Sequence, residues 1–224
     1  MNNLASRTQQ GEFTNFDWAI GDYQLLGILE EIFEGSLEDI HLRLDTNFGD
    51  LTVFNDQLTD LHARYYSRQE DAFLNEYYRF VVDVLEPLFD EPILLQARPT
   101  FRIHVPGNLA VAEFHKDEDY GHSPKEINFF LPFTDATDTC TIWYLNGDGQ
   151  HIPLNTPLGQ FWVWSGSTIP HGNKSNMTNK CRVSIDFRVL LESDYDPSNA
   201  GQSVTMRKNM VIGDYWVRLS DLKT

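Results

Sequence analysis

Between residues 99 and 191 the chain abandons helical spacing. PTFRIHV (99–105), LAVAEFHKD (109–117), EINFFLPFT (126–134), CTIWYLN (140–146), GQFWVWSG (159–166) and CRVSIDFRVLL (181–191) are short runs rich in Val, Ile, Phe, Trp and Thr. Turn chemistry separates them, as VPGN (105–108), NGDG (146–149) and NTPLG (155–159). No helix-length segment lies between these runs, so a parallel sheet built from βαβ units has no crossovers to use. The pattern predicts a mainly β fold with flanking helices, an antiparallel sandwich or jelly roll.

The preceding half supplies the helices. YQLLGILEEIF (23–33) places Leu25, Leu26, Leu29, Ile32 and Phe33 near helical spacing, and Gly35-Ser36 interrupts it. LEDIHLRL then restarts a helix or begins a strand. A longer helix is predicted over 56–86, where Phe73, Leu74, Tyr77, Tyr78, Val81, Leu85 and Leu88 form one apolar stripe that ends at Pro87. The stripe is read as core packing against the sheet. VTMRKNMVIGDYWVRL (204–219) adds a late strand or a tail that folds back. With no internal repeat and no low-complexity linker, we expect one domain: 1–95 as helical support, 96–191 as the β core and 192–224 as a C-terminal extension.

Composition narrows the partners. Seventeen Lys and Arg against 33 Asp and Glu give a net charge of −16, which argues against nucleic acid and anionic membranes. No apolar stretch approaches a membrane span, and MNNLASRTQQGEF lacks the apolar core of a signal peptide. Two cysteines, Cys140 and Cys181, make no disulfide framework, so a cytoplasmic setting is expected and both are read as buried thiols.

The chemistry concentrates in the strands. His115 and Asp117 are two residues apart at a predicted strand end, so a period of two puts an imidazole and a carboxylate on one face. A third ligand is available in FWVWSGSTIPHGN, where His171 follows an aromatic strand and a Gly-Ser turn. Two histidines and one carboxylate on one face of an iron leave adjacent positions open for a bidentate oxo acid and O₂. A 2-oxo dicarboxylate also needs a cation for its far carboxylate. Arg182 stands eleven residues beyond His171 and shares a strand face with Ser184.

HKD (115–117), His171 and RVS (182–184) together resemble the signature of the 2-oxoglutarate/Fe(II)-dependent dioxygenase superfamily. The wider run over roughly 96–191 is similar to its streptomycin-biosynthesis-protein-like branch. The resemblance implies a double-stranded β-helix and Fe(II) held by His115, Asp117 and His171. It also implies 2-oxoglutarate as co-substrate reaching Arg182 and Ser184, with release of succinate and CO₂. Related halogenases carry Gly or Ala where Asp117 stands, so the resemblance favours hydroxylation or another non-halogenating oxidation such as desaturation or ring closure, and its branch implies a small polar metabolite or natural-product intermediate as substrate.

Neighbours extend the candidate site. Asn128 alternates with Phe130 on the next strand and is placed to donate to the oxo acid. Arg188 keeps parity with Arg182, Ser184 and Asp186, making it the rival clamp unless Asp186 pairs with it. Tyr120, His122, Arg102 and Trp143 are candidate substrate contacts, whereas His41, His62 and His151 read as surface residues. Two other functions compete. A lectin-like jelly-roll binding module needs neither the triad nor R-x-S behind it. A cupin enzyme without the oxo acid wants a histidine where Asp117 stands.

Overall fold

A computed structural model describes residues 4–43, 59–68, 71–110, 114–199, 201–203 and 207–222. Among the described residues six α-helices, α1 (Leu4–Gln9), α2 (Leu25–Ile32), α3 (Ile40–Arg43), α4 (Asp60–Arg68), α5 (Asp71–Phe80) and α6 (Leu219–Leu222), accompany ten strands. The strands are β1 (Thr14–Asp17), β2 (Ile93–Gln96), β3 (Thr100–His104), β4 (Ile127–Pro132), β5 (Ile142–Leu145), β6 (His151–Pro153), β7 (Gln160–Trp164), β8 (His171–Asn173), β9 (Arg182–Leu191) and β10 (Trp216–Arg218). They form a seven-stranded sheet in the order β1-β7-β4-β9-β2-β10, with β3 also on β9, and a three-stranded sheet β6-β5-β8. Every pairing between these strands is antiparallel. The chain is a double-stranded β-helix.

Strand parity decides which residues meet the helices. Val183, Ile185, Phe187 and Val189 of β9, Ile127, Phe129 and Leu131 of β4, Phe101 and Ile103 of β3, and Phe161 and Val163 of β7 join one core with Leu25, Leu29, Tyr65, Phe73, Tyr77 and Phe80 of the helices. Tyr65 stacks on Phe101 at 3.9 Å between ring centroids, and Phe129 stacks on Phe187 at 5.0 Å. Each fully buried aromatic of this kind contributes about 2–3 kcal/mol by removal from water. The alternate residues Arg102, His104, Asn128, Phe130, Trp162, Trp164, Arg182, Ser184, Asp186 and Arg188 therefore face the space between the two sheets. Part of that space is filled by Phe130, Leu154 and Trp164, with Ile142 and Tyr144 of the small sheet packed against them.

The five predicted strands over 99–105, 126–134, 140–146, 159–166 and 181–191 correspond to β3, β4, β5, β7 and β9. The sixth, 109–117, includes residues 111–113, which lie outside the described residues. Its end forms a single antiparallel bridge, His115 to His171, before a 3₁₀ turn at Asp117–Tyr120. Of the helix predicted over 56–86, residues 56–58 and 69–70 lie outside the described residues, and α4 and α5 are helical on either side of the second gap. After α5 the helix widens into a π turn at Val81–Leu85 and stops at a 3₁₀ turn carrying Pro87. LEDIHLRL restarts a helix, α3, and the late strand is β10, paired with β2. His62, expected at the surface, is 1% exposed, because α4 presses it edge-on against Phe101 of β3. Among the described residues no helix is long and apolar enough to cross a membrane.

Candidate active site

Backbone pairing brings the three sequence-distant ligand candidates together. His115 N–H donates to the His171 carbonyl at 3.1 Å and His171 N–H donates to the His115 carbonyl at 3.0 Å. Two residues on, Asp117 N–H donates to the Gly166 carbonyl at 3.0 Å. The H-x-D segment is thus tied to the turn between β7 and β8, although it forms no extended strand. One nitrogen of each histidine and one oxygen of Asp117 lie within 4.8 Å of one another. His115 Nε2 is 3.6 Å and His171 Nε2 is 3.8 Å from Asp117 Oδ1.

The protonation states suit a cation. His171 Nδ1 is 3.1 Å from the Ile169 carbonyl oxygen. A carbonyl accepts only from N–H, so Nδ1 carries the proton and Nε2 keeps its lone pair toward Asp117. Burial, working against the attraction of Asp117, lowers the His171 pKa and keeps the ring neutral. Burial by itself pushes the Asp117 carboxyl up, but Arg188 foremost, then His115, His171 and His122, holds it well below the usual carboxylate range. The neutral imidazole of His171, the second imidazole of His115 and one carboxylate make a donor set that fits a divalent ion of intermediate softness, Fe(II) among them.

Behind Asp117 is a dense polar network. Oδ2 accepts from Asn128 Nδ2 at 2.7 Å, from Arg188 Nη2 at 2.7 Å and from Arg188 Nε at 3.0 Å. Asn128 Oδ1 accepts from Gly166 N–H at 3.0 Å. Arg188 Nε is 3.7 Å from Glu126 Oε2, and Arg188 Nη1 is 3.5 Å from the Tyr215 hydroxyl, which donates to Gln96 Oε1 at 3.0 Å. Glu126 also engages His122 Nδ1 at 2.7 Å and accepts from Ser123 N–H at 2.9 Å.

The remaining candidates divide. Arg182 is 2% exposed on the inner face, with Nη1 donating to Asn173 Oδ1 at 2.9 Å and its guanidinium carbon 5.6 Å from the Phe130 ring centre. Ser184 is fully buried beside it, and its hydroxyl has no hydrogen-bond partner among the described residues. His104, cross-strand from Arg182, donates from Nε2 to the Asn108 carbonyl at 2.8 Å, and burial, with Arg182 second, pushes it down to about 3. Asp186 pairs with Arg102 at 2.7 Å, so it leaves Arg188 to Asp117.

These contacts place the other candidates. Asn128, expected to donate to an oxo acid, has its amide engaged by Asp117 and Gly166. Arg188, the rival clamp, faces Asp117 and Glu126. His122, a candidate substrate contact, engages Glu126 through Nδ1. Trp143 sits on the outer face of the small sheet, under Lys174 Nζ at 3.4 Å from its ring centre. Its neighbour Tyr144 lies opposite His171 and so points inward. Tyr120 stands with its ring edge against His115 at 5.1 Å and is 44% exposed. Tyr144, Asn173 and Glu126 were missed, although Glu126 had a signal, lying four residues after His122.

No family model matches the chain. It is 34% identical over 161 residues to the streptomycin biosynthesis protein StrG of Streptomyces griseus, covering 72% of this chain and 77% of that protein. Its fold is similar to that of SnoN, described as a non-heme alpha-ketoglutarate-dependent epimerase from nogalamycin biosynthesis. That match has a TM-score of 0.54 at 12% identity and covers 96% of this chain and 97% of SnoN. It is also similar to a nickel complex of the non-heme monooxygenase ThoJ, with a TM-score of 0.53, 14% identity and coverage of 89% and 80%. EctD from S. alaskensis with 2-oxoglutarate and 5-hydroxyectoine gives a TM-score of 0.51 at 12% identity, with coverage of 87% and 77%.

Proposed function

The chain belongs to the 2-oxoglutarate/Fe(II)-dependent dioxygenase superfamily, in its streptomycin-biosynthesis-protein-like branch, and on that premise we propose that it hydroxylates a small polar metabolite or natural-product intermediate. The observation that carries the reading is the convergence of His115, Asp117 and His171 within 4.8 Å. His115 Nε2, Asp117 Oδ1 and His171 Nε2 hold Fe(II). Arg182 and Ser184 take the distal carboxylate of 2-oxoglutarate. The fit rests on the buried Ser184 hydroxyl, which has no hydrogen-bond partner among the described residues, beside the buried guanidinium of Arg182, since a carboxylate can accept from a hydroxyl and a guanidinium together. Bound iron, with 2-oxoglutarate and O₂, supplies the oxidising equivalents for C–H hydroxylation, the oxo acid leaving as succinate and CO₂.

The protein's own groups do the rest. The neutral tautomer of His171, fixed by Ile169, presents a lone pair without a proton to lose. Phe130 and Trp164 line the space between the sheets and keep bulk water from the Arg182 end. Asp117 occupies the position where a halogenase has no carboxylate, which supports oxygen transfer over halogen transfer. Tyr120, half exposed beside His115, is the substrate contact at the mouth.

The test measures succinate formed from 2-oxoglutarate with Fe(II) and O₂, with and without a panel of small polar metabolites, and isotopic oxygen entering the product. Turnover in the wild type that disappears in His115→Ala and Asp117→Ala supports the reading. A wild type that neither binds Fe(II) nor consumes 2-oxoglutarate refutes it and leaves the small-molecule-binding jelly roll as the alternative.

A further inference from the structure

Resting on the iron reading above, we infer that Arg188 is a positioning residue that restricts Asp117 to ligation through Oδ1 alone. The argument begins with lone pairs. A carboxylate has about four acceptor directions, two on each oxygen. Oδ2 accepts three hydrogen bonds, from Asn128 Nδ2 and from Nε and Nη2 of Arg188, at 2.7–3.0 Å. Its acceptor capacity is used up. Oδ1 instead faces the two histidine Nε2 atoms at 3.6 and 3.8 Å. The two oxygens of one side chain are thus divided between a metal face and a protein face.

Arg188 is held where it can do this. Glu126 Oε2 lies 3.7 Å from the same Nε that donates to Asp117, and the Tyr215 hydroxyl lies 3.5 Å from Nη1. Glu126 is in turn fixed by His122 and the Ser123 amide. The guanidinium fork is planar, so Nε and Nη2 keep fixed directions and a carboxylate that rotates weakens the pair of bonds they make to Oδ2. Asn128 acts from the neighbouring strand, directly opposite Arg188 in the β4–β9 register.

The consequence is a count of coordination positions. Two imidazoles and one oxygen occupy three of six, leaving three for a bidentate oxo acid and O₂. A carboxylate that turned to ligate through both oxygens would take the position O₂ requires. Arg188 therefore protects the open position, acting through Asp117 and without touching substrate or oxo acid.

The experiment uses Co(II), a spectroscopically visible probe, with the full-length wild type and the Arg188→Met and Arg188→Lys variants. Thermal melts of the metal-free proteins establish folding. Co(II) affinity is read from its visible absorption. The ligation mode is read from metal-minus-apo difference infrared spectra of protein labelled at the aspartate carboxyl carbon, with Asp117→Gly assigning the band. The separation of asymmetric and symmetric carboxylate stretches is wider for one-oxygen than for two-oxygen ligation. Expected are the wide separation in wild type, the narrow one in Arg188→Met, and a mixture in Arg188→Lys, which restores one donor. Affinity should fall about 10–100-fold in Arg188→Met, the usual loss when the partner of a metal ligand is removed, and less in Arg188→Lys. A narrow separation in wild type, or variants with wild-type affinity and stretches, overturns the inference while leaving the iron reading standing. If Arg188→Met does not fold, the wild-type spectrum and Arg188→Lys still decide. A wild type that binds no Co(II) overturns both.

Discussion

Gly166 is the position where one added methyl group should disturb the site most. A Cβ there would lie 2.5 Å from Asn128 Nδ2, 2.6 Å from Cγ and 2.9 Å from Oδ1. Carbon contacts are comfortable at about 3.5–4.0 Å, so the overlap reaches about 1 Å with the planar end of a buried amide. Asn128 is 3% exposed and lies between β7 and β9, so its amide can only swing away. It then loses the bond it donates to Asp117 and the one it accepts from Gly166. Overpacking costs about 1–3 kcal/mol, and a hydrogen bond to a charged group contributes about 1.5–3 kcal/mol. These terms overlap, and about 3 kcal/mol is the expected loss for Gly166→Ala. In a chain of this size that lowers Tm by about 6–12 °C. The assay is a thermal melt of the metal-free protein, repeated in a double-mutant cycle with Asn128→Ala. Removing the amide removes the overlap, so adding Gly166→Ala to Asn128→Ala should cost little, with a coupling of about 1–3 kcal/mol. A Gly166→Ala protein that melts with the wild type, or a cycle that is additive, would refute the steric reasoning.

Three further outcomes are expected. Arg182→Met should raise the KM for 2-oxoglutarate by about two orders of magnitude while Co(II) binding stays at the wild-type level, since loss of one partner of a buried charge pair costs about 2–5 kcal/mol. Steady-state kinetics and metal titration read the two effects separately. In Asp117→Gly, the Arg188 and Asn128 donors face the vacated position, so chloride should perturb the bound Co(II) spectrum there and not in wild type. Acid should begin to destabilise the metal-free protein above the pH at which ordinary carboxylates start to protonate. Burial pushes His62 down to about 4 and His104 to about 3, from an unfolded value near 6.5. The unfolded chain binds more protons in that window, so this stability is complete above pH 6.5 and falls as pH drops toward 4 and then 3. Urea midpoints across pH 3–7 check the slope, and His62→Gln should flatten its upper part.

The ligand set was legible because each piece obeys a local rule. Period two puts His115 beside Asp117, and parity along β9 puts Arg182, Ser184, Asp186 and Arg188 on one face. What parity does not contain is register. Which acid meets which arginine depends on what lies opposite: the β3–β9 pairing brings Arg102 to Asp186, and the tie of Asp117 to Gly166 brings its carboxylate to Arg188. Trp143 was misplaced for the same reason. The inward residue of β5 is the one facing His171, namely Tyr144, and a one-residue difference reverses the side. His62 was misread because nothing local to α4 says that Phe101 will cover its imidazole.

One strand bears unusual responsibility. β9 runs ten residues and pairs with β2, β3 and β4, so it is the spine of the large sheet. On its inner edge it displays Arg182, Ser184 and Arg188, and on its outer edge the valines, isoleucine and phenylalanine that grip the helices. Sliding it by a single position would drive the arginines into hydrocarbon and the apolar set into the reaction chamber. Folding correctly and being competent for chemistry are consequently a single event in this molecule, and natural variation along β9 has to satisfy both demands at once.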